Sequence, residues 1–165
     1  MKGFSVALFV LITITAALAL VMQTTVFQFL PLIPDMLLIL CVYLGLHQHS
    51  VGGSAGAFLL GYFNDSFSGN LVGLHAFAMS LVFILVYLVS KRLWMDNVVS
   101  NVAVVFVASV LKAATISALL AFYLSLDFPW SEFLSTVWFE AIAAALMAPL
   151  VFAMLDGGKR LWGID

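Results

Sequence analysis

Charge is what this sequence has least of: 8% of its 165 residues are Asp, Glu, Lys or Arg, and the formal net charge is −2. So few charges cannot cover the surface of a water-soluble domain of this length, and without a basic patch nucleic-acid binding is excluded. Cysteine is almost missing as well. The single Cys41, set in an apolar run, excludes an intrachain disulfide and any cysteine-based metal site, and reads as small core filler. Histidine occurs three times. His47 and His49 stand two apart at the end of an apolar segment with no third ligand nearby in sequence, so neither a metal nor another cofactor is expected. No polar stretch is long enough for a soluble domain.

What fills the chain instead is apolar: 65% of the residues are hydrophobic and the mean hydropathy is +1.21. The expectation is an all-α integral membrane protein, a single polytopic domain over residues 1–165, built as a six-helix bundle in the lipid bilayer. The predicted segments are about 4–26, 35–48, 51–63, 71–90, 98–124 and 132–155. Lys2 and the Ala17-Leu18-Ala19 triplet resemble a secretory signal, but the apolar run exceeds the usual ~7–15 residues of a signal core. It is expected as a retained span. Asp35 after Pro34 looks like an N-cap for the second segment. Segments two and three are short, since about 14 residues rise only ~21 Å against ~30 Å of hydrocarbon. They span a thinned region or form a re-entrant hairpin. Pro149, inside the last segment, removes one backbone hydrogen bond and should kink the final turns.

Basic residues set the orientation, because Lys and Arg near helix ends stay on the cytoplasmic side. With six segments, Lys2, Lys91, Arg92, Lys159 and Arg160 share one side, while Asp35, Asp65, Asp127 and Glu132 share the other. Both termini are predicted to be cytoplasmic.

Small residues converge in one stretch, GGSAGAFLLGYFNDSFSGNLVG, residues 52–73. Gly53, Ala57, Gly61 and Asp65 recur every four residues and make a nearly bare helical ridge, with Gly52 and Gly56 beside it. In lipid, where helices gain little from hydrophobic association, such ridges are packing seams. Asp65 ends the ridge where the helix dipole disfavours an acid, so water, turn amides or a cation must compensate it. The following Ser66 to Asn70 suggests an Asx-type turn in which Asp65 accepts the next amides. His75 reads as a core histidine that could also meet Asp65 or Asn70. Ser66 and Ser68 flank that turn without any motif that supports nucleophilic catalysis.

Lys112 is the anomaly, a basic residue near the middle of the fifth segment, where insertion costs roughly 2.5–3.5 kcal/mol. A tight turn near Phe128 would set Glu140 opposite Ile116, one turn outward of Lys112, within reach of the lysine stem. An intramembrane Lys112–Glu140 ion pair is the expectation. Asp65, an acid of a partner protein, or a hydrated path are the alternatives.

The pattern Pro34-Asp35 before LLILCVYLGL, followed by Gly52, Gly56, Gly61, Asp65, Ser68, Gly69 and Gly73, resembles the bacterial rod shape-determining protein MreD family. The ending AALMAPLVFAML, with Pro149, is similar to it too. The resemblance implies a protein of the bacterial cytoplasmic (inner) membrane, not known as an enzyme, that works with MreC. It also implies the cell-elongation machinery of RodA, its transpeptidase and MreB filaments, and a fold similar to the six-helix substrate-binding subunits of energy-coupling-factor transporters. By the same resemblance Pro34 and Asp35 open the second helix, and Gly61, Asp65, Ser68 and Gly69 form the seam and outer turn. Lys112 and Glu140 match no part of that pattern. The function expected is a non-catalytic membrane scaffold, with Gly53, Gly56, Ala57, Gly61, Gly69 and Gly73 as a packing or partner seam and a homo-oligomer left open. The alternative is a small-solute, vitamin-like binding subunit of a transporter, which would need a polar pocket.

Overall fold

The computed structural model describes residue 15 and residues 35–47, 51–68, 73–91, 98–123 and 130–161. The predicted first segment, apart from Thr15, lies outside them, as do Pro34 and Gly69. The described elements are five helices: α1 (Met36–His47), α2 (Val51–Ser68), α3 (Leu74–Ser90), α4 (Val98–Tyr123) and α5 (Trp130–Leu161).

Nothing in the α1 sequence MLLILCVYLGLH makes a polar face, and residues 37–45 are all buried, as suits a helix with neighbours on every side. It packs against each of the other four helices and is the axis of the molecule. Its 12 residues rise only ~18 Å. Asp35 starts it: the Asp35 carbonyl accepts Ile39 N–H at 3.2 Å, and its carboxylate accepts Leu38 N–H at 3.0 Å, the geometry of an N-cap.

Around this axis the chain makes two adjacent pairs, α2 with α3 and α4 with α5, and α3 also meets α4. The expectation that both early segments are short fails for α2, which runs 18 residues, ~27 Å, and continues past Asp65 to Ser68. The helix passes the expected stop at residue 63 because the charge of Asp65 in its last turns is met from outside, as described below. α3 begins at Leu74 after Gly73, whose φ of 99° places it where a residue with a Cβ is strained. α5 is also longer than expected, running on from residue 155 to Leu161 with Pro149 inside it. A helix leaving hydrocarbon keeps its own backbone hydrogen bonds, so the change of solvent alone does not end it.

The two spans Val99–Phe122 and Ser135–Gly158 are each long and apolar enough to cross a membrane, yet only 28% and 33% of them is buried inside the molecule. Val107, Leu146, Leu150 and Met154 point outward. A core helix of a soluble protein hides its apolar faces. These present them to a solvent that must itself be apolar.

Candidate functional site

The small-residue ridge of α2 lies inside the molecule. Gly53, Gly56, Ala57, Gly61 and Asp65 are all buried. The tightest point is Gly61: a Cβ there would stand 2.5 Å from the Ala76 Cα and 2.5 Å from the His75 carbonyl oxygen. Backbone lies on backbone at this crossing. At Gly56 a Cβ would meet a methyl of Leu44 at 3.3 Å, so the ridge's second row faces α1. The opposite face of α2 presents Phe58, Leu59, Tyr62 and Phe63 outward.

That approach brings Asp65 to the start of the next helix. Its carboxylate accepts the amides of Gly73 at 2.9 Å, His75 at 2.9 Å and Ala76 at 3.1 Å. Gly73, at the N-cap position, has no side chain to cap α3, and Asp65 takes that role from a different helix. The compensation sought for an acid in the last turn of α2 is thus the positive end of α3's dipole. The amides are not those of an Asx turn immediately after Asp65, the arrangement expected from Ser66 to Asn70.

The second buried acid, Asp35, forms an ion pair with Lys112, which stands midway along α4. This differs from the expected Lys112–Glu140 pair. Glu140 feels Lys112 electrostatically but makes no ion-pair contact with it among the described residues. The physical reason is hairpin register. The Phe106 ring packs on Trp138 with centroids 6.1 Å apart, which carries Glu140 inward of Lys112 instead of outward beside Ile116. Because α1 is short, its N-terminus stops inside the bundle beside α4. Asp35 therefore has three roles at once: cap of α1, favourable charge at the positive end of its dipole, and counter-ion of Lys112.

Four further features had weak sequence signals. Gly45 lies at a second close crossing, where a Cβ would stand 2.8 Å from a Val86 methyl; a lone glycine in a long apolar run was its only trace. Tyr43 donates its hydroxyl to Asp156 at 2.6 Å, joining α1 to the part of α5 beyond the predicted segment end at residue 155. Tyr43 also stacks on His47, centroids 4.2 Å apart, and His47 Nδ1 lies 3.1 Å from the Tyr43 carbonyl, which gives that histidine a structural setting. Ser109 Oγ, Asn101 Oδ1 and His75 Nδ1 are buried without a hydrogen-bond partner. Nothing in the sequence distinguished Ser109 from Ser117, which bonds back to the Ala113 carbonyl at 2.7 Å. Ser68 closes α2 and Pro149 lies within α5.

Compared with known proteins, the chain matches the family model for rod shape-determining protein MreD over residues 1–157. No curated protein and no solved structure matches it.

Proposed function

We propose, from the premise that this chain belongs to the MreD family of rod shape-determining membrane proteins, that it is a non-catalytic scaffold of the cell-elongation machinery. In this reading it docks MreC and, through the assembled complex, RodA, the elongation transpeptidase and MreB filaments, so that wall synthesis follows the long axis of the cell. The family match along nearly the whole chain carries the reading.

The architecture of this reading is one membrane domain of six helices, with 4–26 as the additional span, both termini cytoplasmic, and a fold similar to energy-coupling-factor substrate subunits. Several observations support it. Two helices have the length and apolar surface of spans. The Tyr43–Asp156 bond joins the C-terminal half of α1 to the C-terminal part of α5, the ends that six spans would put on the cytoplasmic side. The ridge, expected as a packing or partner seam, lies against α3 at Gly61 and against α1 at Gly56. Docking in this reading falls to the outward faces of α2, α4 and α5, which carry bulky apolar residues such as Phe58, Val107 and Leu146.

The experiment is gentle solubilisation of native membranes, capture through a C-terminal tag, and mass spectrometry of co-purifying proteins and bound small molecules. An MreC-like protein with wall synthases and no stoichiometric ligand is the expected result. Recovery of an ATPase with a coupling subunit, or of a stoichiometric vitamin-like ligand, would replace the scaffold with the transporter reading.

A further inference from the structure

In an otherwise apolar molecule, ionisable residues from every described helix converge on one zone. Asp35 opens α1, Asp65 lies on α2, His75 on α3, Lys112 on α4 and Glu140 on α5. His75 feels Lys112, Asp65 and Asp35, while Lys112 and Glu140 feel each other and Asp35. Cys41, the remaining polar neighbour, donates its thiol to the Met79 carbonyl at 3.4 Å.

The charges in this zone do not cancel. Asp65 is satisfied by three amides at the head of α3, and Asp35 by Lys112 and the head of α1. Glu140 is left with no hydrogen bond or ion-pair contact among the described residues, at a depth where an uncompensated carboxylate is costly. No described basic residue makes an ion pair with it. A second, independent sign is Ser109, only 8% exposed, one turn from Lys112 on the same face of α4, with its hydroxyl unpartnered. Ser80, Thr115 and Ser117 all bond back to a carbonyl of their own helix, the usual resort of a hydroxyl in an apolar setting. Ser109 does not, and a buried hydroxyl without a partner marks a place for an absent one. The Phe106–Trp138 register puts Glu140 on the Ser109 side of Lys112, and helical side chains lean toward the N-terminal turn, so Lys112 leans the same way.

We propose that this centre binds one monovalent cation, a proton or a sodium ion, at Glu140, with the Ser109 hydroxyl as the neighbouring oxygen. While the cation is present, Glu140 is neutralised and Lys112 belongs to Asp35. Loss of the cation leaves two carboxylates competing for one ammonium, so occupancy decides whether Lys112 ties α4 to α1 or to α5. The inference is independent of which partners dock outside.

Infrared difference spectroscopy of the purified full-length chain in lipid nanodiscs tests it, comparing sodium with choline chloride and acid with neutral buffer. The chain has two glutamates, Glu132 and Glu140, so labelling glutamate with ¹³C at the carboxyl carbon reports them without disturbing the fold. For a bound proton, a protonated-carboxyl C=O band is present at neutral pH, moves to lower frequency with the label, and persists in Glu132→Gln. For bound sodium, that band is absent and the labelled carboxylate band shifts when sodium replaces choline, a shift lost in Ser109→Ala. A labelled carboxylate band that shows neither behaviour overturns the proposal.

Discussion

At the scale of single residues, the polar groups here are structural ties rather than decoration. Asp35 and Lys112 sit in the bundle as a pair, and removing one member of a buried pair costs about 3–5 kcal/mol where replacing both costs far less. Asn caps helices as well as Asp does, so Asp35→Asn removes the charge while keeping the cap. Asp35→Asn and Lys112→Met should each lower the temperature at which the detergent-solubilised protein leaves its monodisperse size-exclusion peak, and the double variant should recover most of the loss. If the double variant is no better than the worse single one, the pair is not the tie described. Asp65→Ala should be more severe than either, since it strands three amides at the head of α3, those of Gly73, His75 and Ala76, each worth ~1–3 kcal/mol when left unmet. The same melting assay reads it. The sequence announced that Lys112 needed a partner because lipid makes any lone charge costly. It could not say which, because the choice between Asp35 and Glu140 depends on the hairpin register, which the Phe106–Trp138 contact reports, and on where the head of α1 lies.

At the scale of helices, glycine has two separable roles. Gly61 is needed for space: a Cβ there runs into the backbone of Ala76, which cannot turn aside as a flexible side chain would. Gly73 is needed for its conformation, because φ is 99° and nothing lies within 4 Å of a Cβ placed there. Gly61→Ala should therefore push α2 off α3, cost about 1–3 kcal/mol by overpacking, and weaken the Asp65 cap with it. Gly73→Ala should cost ~1–2 kcal/mol of local strain and leave the crossing intact. A disulfide between cysteines placed on α2 and α3 away from the crossing would tell them apart, forming less readily in Gly61→Ala and unchanged in Gly73→Ala. The four-residue repeat made this ridge legible. Gly45 was not, since one glycine in an apolar run shows no period, and the continuation of α2 past Asp65 depended on amides eight to eleven residues further on.

At the scale of the whole molecule, the arrangement is a buried axis, α1, surrounded by helices that turn bulk outward and small residues inward. On α5 the two faces are only residues apart: Ala144 and Ala148 are fully buried, while Leu146 and Leu150 are 71% and 57% exposed. Spin labels at Leu146 and Leu150 in nanodiscs should be relaxed strongly by oxygen, which dissolves in hydrocarbon, and only weakly by a water-soluble nickel chelate. A label at Leu146 that responds to nickel instead would place that face in water. Composition alone gave the membrane and the all-helical class, because so few charges leave no other solvent. It could not single out the centre of the bundle, since α1 is no more apolar to the eye than its neighbours and differs only in being surrounded.

The Asp35–Lys112 tie also has a history in time. Its two ends are separated by 77 positions in the chain, and a ribosome adding about 5–20 residues per second needs roughly 4–15 s to pass from one to the other. During that interval the head of α1 carries an acid whose counter-ion has not yet been made. The axis of the molecule is therefore among the first described elements to be synthesised and among the last to be secured. Until α4 arrives, α1 must wait at the membrane surface, with its acid neutralised by a proton, or beside something that lends it a positive charge.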